Sequence, residues 1–401
     1  MSWEKVKLGD VAEFSNGVNF GKEAYGKGIK LIGVSDFGDR FYPDYTSLGE
    51  VKKDVVRKND YLKNDDIIFV RSNGNKELVG RCMLVRNPSD QVTFSGFCIR
   101  ARLKDRKHQN PVYWTYHFKC DMFRKAMSGT ANGANIQNLS QGRLAIYEAR
   151  IPDIEIQNRI ASILSAYDEL IETNQRQIKL LEEAAQRLYK EWFVDLHFPG
   201  WENTQIVDGV PEGWRVRTIE DISCVLRRGI SPKYNEKAKY MVINQKCIRK
   251  AVMDMSEARC QEKMYPDELN IKDGDVVICS TGIGTLGRVG QVYGDYPHTT
   301  FDSHVTLVRA RTEVQFLYHS IKNNQTYLMG CGKGSTNQQE LSRDVIKAVK
   351  ILVPDSKSLS TFEKYAQAIH DKIRILRDQA LLATEARNRV LPKLMNGEID
   401  L

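Results

Sequence analysis

Between about residue 155 and residue 194 apolar residues recur at alternating intervals of four and three, in a stretch without glycine or proline. This spacing keeps one narrow apolar stripe on a single face of an α-helix, which is the heptad pattern of a coiled coil. A helix of this length spans about 60 Å. The stripe consists of Ile160, Leu164, Tyr167, Ile171, Asn174, Ile178, Leu181, Ala185, Leu188 and Trp192. A stripe this narrow predicts a partner helix.

The same alternation recurs near the end of the chain, which supplies the partner. Its positions are Phe362, Ala366, Ile369, Ile373, Leu376, Ala380, Ala383, Arg387, Val390 and Leu394. Polar residues inside such stripes, here Asn174 and Arg387, can fix the register of a coiled coil at some cost in stability. We expect two long paired helices. The alternative is a long amphipathic helix packed on one domain.

The segments that precede the two helices repeat each other. At the start of each segment, Trp3, Leu8, Asp10, Val11 and Phe14 match Trp214, Ile219, Asp221, Ile222 and Val225. In the middle, Asp66 to Phe69 match Asp275 to Ile278, Gly80-Arg81 matches Gly287-Arg288, and Ile99 to Arg102 match Val308 to Arg311. At the end, Asn135, Gln137, Leu139 and Ser140 match Asn337, Gln339, Leu341 and Ser342, and Ile151 to Asp153 match Val353 to Asp355. Blocks in the same order at nearly constant separation indicate an internal duplication.

Short β-rich runs separated by Gly and Asn turns fill the segment before each helix, which predicts mixed α/β globes. Pro followed by Asp marks the start of each helix. The predicted division is a first globe over 1–150, a long helix over 151–198, a linker over 199–213, a second globe over 214–354 and a second long helix over 355–401.

Composition narrows the class of protein. The chain has 401 residues and a net charge of +8, enough length for two cores and a mild basic excess that suggests a polyanionic partner. The eight cysteines form no C-x-x-C pair and are predicted to be free thiols in a reducing compartment. No apolar run has the length of a membrane span and the start lacks an apolar signal segment, so we expect a cytoplasmic protein with no membrane partner.

Catalytic and cofactor motifs are weak. Gly282 to Gly287 fits G-x-G-x-x-G, but a strand and turn follow it rather than a helix, so a flexible hairpin is the better interpretation than a dinucleotide site. Pro152-Asp153-Ile154-Glu155 resembles a nuclease carboxylate pair without its lysine and is interpreted as a helix cap. The seven histidines, His298 and His304 included, have no metal-ligand spacing and are taken as structural or exposed. We predict no catalytic residue and no metal site.

Basic and amide-rich loops occupy similar positions in both halves and supply donors suited to phosphates and base edges. The DNA-binding candidates are Arg71, Asn73, Asn75, Lys76, Arg81, Asn132, Asn135 and Gln137 in the first half, and Arg227, Arg228, Lys233, Ser280, Thr281, Thr285, Arg288, Lys333, Thr336, Asn337 and Gln338 in the second. Ordinary solvated turns are the alternative for many of them, because Asn, Gly and Ser favour turns.

The layout resembles the specificity subunits of type I restriction-modification systems. The resemblance covers nearly the whole chain and rests on LYKEWFVDLHFPGW after the first helix, VPEGW at the start of the second half, GIGTLGRVG, and the closing LLATEARNRVLPKLMNGEIDL. It implies an α+β fold with two pseudo-repeated mixed α/β target-recognition domains separated by an antiparallel coiled coil of two long helices. Each domain is expected to recognise one half of a split target in double-stranded DNA.

The resemblance also implies two methyltransferase subunits and restriction subunits as partners. It places no cofactor on this chain; S-adenosylmethionine, ATP and Mg are expected on the partners. A coiled-coil adaptor without nucleic acid and a self-contained DNA methyltransferase or nuclease are the alternatives. The missing catalytic motifs disfavour the enzyme, and salt-dependent binding to duplex DNA would exclude the adaptor.

Overall fold

The computed structural model describes residues 3–38, 40–75, 78–88, 91–128, 138–248, 253–282, 284–332 and 339–401. The chain divides into two compact units. The first unit comprises residues 1–172 and 380–401, and the second unit comprises residues 173–379. Both boundaries fall inside the long helices.

The first unit has nine strands and four short helices in its described part, followed by the first long helix. The strands are β1 (Glu4–Lys7), β2 (Ala12–Asn16), β3 (Tyr25–Ile32), β4 (Gly49–Val51), β5 (Ile67–Val70), β6 (Cys82–Leu84), β7 (Val92–Phe94), β8 (Cys98–Leu103) and β9 (Glu148–Ile151); the helices are α1 (Leu8–Val11), α2 (Pro111–Lys119), α3 (Asp121–Ser128), α4 (Gln141–Ala145) and α5 (Ile154–Phe193).

Three sheets form the first unit: a four-stranded sheet in the order β2-β8-β5-β6, a three-stranded sheet in the order β4-β3-β7, and the pair β1-β9. The run IIFV of β5 is buried at every position, as expected of a central strand covered on both faces. Aromatic residues of α2 and α3 cover one face of this sheet; Phe69 of β5 lies 5.0 Å from Phe118, centroid to centroid. One core of the unit therefore lies between the four-stranded sheet and the helices, and a second lies on the other face of the sheet, where Ile68 and Val70 pack with Ile32 and Phe94.

The described part of the second unit repeats this order after an additional hairpin. Its strands are β10 (Ile206–Val207), β11 (Val210–Pro211), β12 (Arg215–Thr218), β13 (Ser223–Arg228), β14 (Tyr240–Ile243), β15 (Arg259–Gln261), β16 (Val276–Cys279), β17 (Val289–Gln291), β18 (Thr299–Phe301), β19 (Val305–Ala310) and β20 (Lys350–Val353); its helices are α6 (Ile219–Ile222), α7 (Val314–Asn323), α8 (Gln325–Gly330), α9 (Arg343–Lys347) and α10 (Ser356–Met395).

The sheets of the second unit have the orders β13-β19-β16-β17, β15-β14-β18 and β12-β20. Each has its counterpart in the first unit with the same strand order and the same pairing directions. The internal duplication predicted from the sequence is therefore confirmed at the level of topology.

Two details of the predicted repeat are wrong. A β-bulge in β13 between Ser223 and Val225 inserts one residue, so the partner of Phe14 in the repeat is Leu226 rather than Val225. A bulge sets two residues of one strand against one of its neighbour, which moves the alignment by one from that point on.

The second error concerns the alignment of β8 with β19. Ile67 pairs with Ala101 in the first unit, and its counterpart Val276 pairs with Val308 in the second. Ala101 therefore corresponds to Val308, and Arg102 to Arg309, two residues away from the match made on sequence. A shift of two leaves every side chain on its original face, so the alternation of apolar and polar residues cannot detect it.

Aspartate residues cap both long helices, as predicted. Asp153 Oδ1 accepts from the backbone N–H of Ile156 at 3.0 Å, and Asp355 Oδ1 accepts from the N–H groups of Lys357 and Ser358 at 2.9 and 3.0 Å. These bonds satisfy N–H groups that have no partner inside the helix. Asp153 of the pair that resembled a nuclease motif is therefore a helix cap, and Glu155 lies in the first turn of the helix.

The long helices pack in antiparallel fashion within each unit. In the second unit Ile178 of α5 lies in one buried cluster with Ile373 and Leu376 of α10, and further along α5 the ring of Trp192 lies 6.1 Å from that of Phe362. Residue numbers thus rise along one helix as they fall along the other. In the first unit Ile160 of α5 shares a buried cluster with the end of α10.

All predicted stripe residues are buried or half-buried. Those with no more than one tenth of their surface exposed are Ile160, Leu164, Asn174, Ile178, Ala185, Trp192, Phe362, Ala366, Ile373, Leu376, Ala383 and Leu394, and the half-buried ones are Tyr167, Ile171, Leu181, Leu188, Ile369, Ala380, Arg387 and Val390. Of the polar exceptions, Asn174 donates to Gln379 at 3.5 Å and Arg387 forms an ion pair with Asp168.

The predicted linker has a folded structure. Its residues form the β10–β11 hairpin, whose turn at Asp208 and Gly209 has positive φ angles of 53° and 77°. At its edges Phe198 and Trp214 are buried, with ring centroids 4.5 Å apart. Asp and Gly suit this turn because both tolerate a positive φ angle.

Candidate nucleic-acid interface

In the first unit three chain segments meet where β5 leaves its sheet. The backbone N–H of Arg71 donates to the carbonyl of Phe97 at 2.8 Å, and the N–H of Leu139 donates to the carbonyl of Arg71 at 2.9 Å. Ser72 and Asn138 form an isolated β-bridge beside them. Backbone hydrogen bonds therefore fix the positions of these loops, and their side chains are available for recognition.

The second unit has the same arrangement at the end of β16. The N–H of Ser280 donates to the carbonyl of His304 at 2.8 Å, and the N–H of Leu341 donates to the carbonyl of Ser280 at 2.9 Å. Thr281 and Glu340 form the corresponding β-bridge. The two units thus share one backbone framework and differ in the side chains that it presents.

In each unit a glycine allows a fourth chain segment to lie close to the other three. A Cβ atom at Gly17 would lie 2.2 Å from the carbonyl oxygen of Ser95, and one at Gly229 would lie 2.1 Å from that of Phe301. Real Cβ atoms do not approach a backbone oxygen so closely. These positions therefore require glycine, which the sequence analysis did not recognise.

In the first unit the segments enclose an open groove of ≈450 Å³, here called the first groove. It is lined chiefly by Asn19, Phe20, Tyr25, Arg71 and Phe97. Tyr25 is 54% exposed and Phe97 is 58% exposed. Among its described lining residues there is no carboxylate. The groove combines aromatic faces with amide and guanidinium donors, which suits base edges and phosphates.

At the corresponding place in the second unit polar side chains bond to each other. Arg228 Nε donates to the carbonyl of Ser303 at 2.7 Å, and its guanidinium forms an ion pair with Glu340. The Oγ1 atom of Thr281 lies 2.6 Å from Nδ1 of His304. An open groove of ≈420 Å³ adjoins Arg228 and Glu340. This surface presents donors and a carboxylate acceptor, with the charge of Arg228 partly neutralised.

The buried residue Asp302 stabilises this network of polar side chains. It is 2% exposed and accepts from the backbone N–H of His304 at 2.9 Å. Burial raises the pKa of the Asp302 carboxyl, an effect that His304 and Arg228 oppose. The bond holds the turn that carries the His304 ring.

Four predicted residues of the first unit lie in its described part. Arg71, Asn73 and Asn75 share one loop, in which the N–H of Asn75 donates to Asn73 Oδ1 at 2.8 Å. The Arg81 guanidinium instead donates to the carbonyl of Gly38 at 3.1 Å. The remaining candidates, Lys76, Asn132, Asn135 and Gln137, lie outside the described residues.

In the second unit the structure separates two candidates that are adjacent in sequence. Arg227 and Arg228 point to opposite faces of β13 because side chains alternate along a strand; Arg227 forms an ion pair with Glu268. Lys233 forms an ion pair with Glu262.

The other described candidates, Ser280, Thr281, Thr285 and Arg288, belong to the β16–β17 hairpin, where Thr285 Oγ1 donates to the carbonyl of Thr281 at 3.1 Å. Because β17 rather than a helix follows, the glycine-rich stretch is a hairpin, as predicted. Lys333, Thr336, Asn337 and Gln338 lie outside the described residues.

Sequence reasoning missed several residues of these surfaces. The omitted ones are Asn19, Phe20, Tyr25, Phe97 and Asn138 in the first unit and Glu340 in the second, with His304 considered only as a structural or exposed histidine. Aligning the turn before β8 with the turn before β19 would have matched Phe97 with His304. That alignment depends on the strand register, which the sequence did not supply.

The cysteines are free thiols, as predicted, and all eight lie in the described part. Burial raises the pKa of Cys82 to about 11 and that of Cys279 to about 12, so these thiols are poor nucleophiles. In the described residues no three His, Cys, Asp or Glu side chains are grouped to hold a metal ion. None of the described helices has the length and apolar character of a membrane span.

The chain is similar to characterised proteins over almost its full length. It is 25% identical to the type I restriction enzyme MjaIX specificity subunit of Methanocaldococcus jannaschii, with 99% of this chain and 93% of the relative covered. It is 23% identical to the HindI specificity subunit of Haemophilus influenzae, with 99% of both chains covered. The EcoKI specificity subunit of Escherichia coli is 22% identical, with 95% of this chain and 84% of the relative covered.

A solved structure shares the fold. The S subunit of a type I restriction-modification system from M. genitalium superposes with a TM-score of 0.59 at 16% identity, with 98% of this chain and 96% of that one covered. The family model described as type I restriction modification DNA specificity domain matches residues 1–183 and again residues 211–376. These two matches cover most of the chain and coincide with its two repeats, and the chain therefore belongs to the type I restriction-modification DNA specificity family.

Proposed function

We propose that each unit recognises one half of a bipartite DNA target and that the two long helices set the distance between the halves. The chain is a non-catalytic specificity subunit, and a split target fits its duplicated architecture. The observation that carries the proposal is the shared backbone framework with unlike side chains: Arg71 and Phe97 in the first unit stand where Ser280 and His304 stand in the second. Two unlike surfaces on one framework suit two unlike half-sites.

The proposed recognition domains span residues 1–150 and 214–354, the helical spacers 151–198 and 355–401, and the connection 199–213. The chain would work in the cytoplasm with double-stranded DNA, two methyltransferase subunits and restriction subunits. The S-adenosylmethionine, ATP and Mg sites would belong to those partners.

Exposed apolar side chains on the long helices support docking of the methyltransferase subunits there. In the first unit Leu381 and Leu382 are 58% and 66% exposed, and in the second unit Leu180 and Tyr365 are 58% and 55% exposed. Leu381 and Leu382 are neighbours on α10, and adjoining exposed apolar side chains mark protein interaction sites.

Methylation mapping tests the function directly. Genomic DNA from cells with and without this gene would be sequenced by a method that detects methyladenine. We expect a split motif that is methylated only when the gene is present. A methylation pattern independent of the gene, or an undivided motif, would contradict the proposal.

A further inference from the structure

We propose that Phe97 and Arg71 form a base-reading pair in the first groove, in which Phe97 contacts the C5-methyl group of a thymine and Arg71 donates to an adjacent purine in the major groove. This inference rests on the proposed function and names the residues that give the first unit its specificity. It assigns to Phe97 a role that its sequence context does not suggest.

Phe97 combines a fixed backbone with an exposed ring. Its carbonyl accepts from Arg71 at 2.8 Å, and its N–H donates to Ser95 Oγ at 3.3 Å. The side chain is nevertheless 58% exposed. One exposed phenylalanine is ordinary on a protein surface. Here, however, exposed Tyr25 and half-buried Phe20 line the same groove, so the apolar surface is concentrated in one place.

Arg71 is oriented by the turn that carries Phe97. Its Nη1 atom donates to the carbonyl of Gly96 at 3.2 Å, which ties the guanidinium to the turn that carries Phe97. The guanidinium has five N–H donors in a planar fork, so donors remain for the O6 and N7 atoms of a guanine or the N7 atom of an adenine. The pair thus offers an apolar contact and a donor fork in one groove, which matches a step containing thymine and a purine.

The second unit lacks this chemistry at the same positions. Ser280 replaces Arg71, and its Oγ atom lies 2.6 Å from Oγ1 of Thr306. His304 replaces Phe97, and its Nδ1 atom is hydrogen-bonded to Thr281. Its Nε2 atom is therefore the ring nitrogen that can bond to a further partner. A polar ring has no preference for a methyl group. Sensitivity to thymine methyl groups should therefore be confined to the half-site of the first unit.

The test uses the full chain purified together with its methyltransferase subunit, and duplexes that carry the mapped target. Each thymine of the first half-site is replaced in turn by deoxyuridine, which lacks only the C5-methyl group. For the wild-type chain we expect one replacement to weaken binding by about fourfold, the value for burial of one methyl group. Phe97→Ala should bind the unmodified duplex more weakly and show no further loss at that position.

His304→Ala is the matched control at the equivalent position of the second unit. It should leave the response to the first-half-site replacements unchanged. Phe97→Leu, which keeps an apolar side chain, should retain part of the response, so the test does not depend on the alanine variant alone. If Phe97→Ala responds to every replacement as the wild type does, Phe97 does not read a methyl group, although specific binding of the target would still support the function. If the complex shows no preference for the target, both proposals fall.

Discussion

Asp66 and Asp275 are corresponding residues at which the two units are alike. Each is about 1–2% exposed and accepts two hydrogen bonds of 2.7 Å from an arginine, Arg102 in the first unit and Arg309 in the second. A buried carboxylate requires such a partner, because an unpaired charge in the interior is costly. In both units this ion pair joins the loop before the central strand, β5 or β16, to the neighbouring strand, β8 or β19.

Removing the first of these arginines should destabilise the first unit. We expect Arg102→Ala to lower the free energy of unfolding by about 2–4 kcal/mol, since it strands a buried carboxylate, with some relief because Arg102 is 29% exposed. Hydrogen exchange of the β5 and β8 amides measures the loss. Arg106→Ala breaks the more exposed ion pair with Asp65 and should cost less than about 1 kcal/mol. Equal losses in the two variants would contradict the argument.

Glu182 is a half-buried titratable residue of α5 in the second unit. Its Oε1 atom is inaccessible and has no hydrogen-bond partner among the described residues. Burial raises the pKa of Glu182 to about 7, although the positive charges of Lys322 and Arg377 oppose the shift. The folded state therefore binds the proton of this carboxyl more tightly than the unfolded state. Its contribution to stability is full below the ordinary pKa of 4.5 and is lost as the pH rises through 7.

The variant Glu182→Gln should remove this pH dependence. At pH 8 we expect the variant to be more stable than the wild type by about 1–3 kcal/mol, and the difference should disappear as the pH falls towards the ordinary pKa. The difference in free energy of unfolding is measured by denaturant unfolding at several pH values, with hydrogen exchange of the α7 amides as the readout. Glu183→Gln is the matched control on the exposed side of the helix and should change little. Parallel pH curves for wild type and Glu182→Gln would exclude the assignment.

Individual residues were predictable where one local rule decided their role. Asp153 and Asp355 cap the helices because Asp after Pro is a local signal. Phe97 was not predictable, since its exposure depends on a turn that is fixed in part by a backbone bond to Arg71, which lies far from it in the sequence. Of the residues predicted in the first unit, Arg71 lines the first groove, whereas the aromatic residues that line it were not predicted.

At the scale of elements, the long helices α5 and α10 could be predicted almost completely, because the apolar stripe is sustained over many turns. Their observed bounds, Ile154–Phe193 and Ser356–Met395, fall within the predicted segments. The β-strands were predictable as runs but not in register. The two-residue shift between β8 and β19 leaves no trace in the alternation of side chains. The bulge in β13 adds one residue, which moves the alignment by one inside a short strand.

Lengthening both helices tests their proposed role as a spacer. Seven residues inserted after Glu172 in α5 and seven after Gln379 in α10 preserve the heptad stripe and fall at the boundaries between the units. Each insertion adds about 10 Å, close to three base-pair steps. Methylation mapping should show both half-sites intact and the gap about three base pairs longer.

A four-residue insertion at both places is the control for register. It lengthens each helix by about 6 Å but shifts the stripe, so we expect weaker methylation with a gap about one or two base pairs longer. An active complex with an unchanged gap would mean that the helices do not set the spacing.

On the scale of the whole molecule, duplication explains most of the architecture. Each unit repeats a four-stranded sheet, a three-stranded sheet and a strand pair, and only the second adds a hairpin among the described residues. The sequence revealed this repeat because its matching blocks surround the core strands. It could not reveal which loops meet, because that depends on backbone hydrogen bonds between segments far apart in the chain.

An exchange of recognition domains tests the central claim most directly. Residues 1–150 would be replaced by the equivalent segment of a family member with a known target, and the reciprocal chimera would exchange residues 214–354. Methylation mapping of cells that carry each chimera with the methyltransferase subunit shows which bases change. We predict that the first chimera alters one half-site, the second alters the other, and the gap stays constant. A change in both half-sites with either chimera would contradict the account of two independent readers.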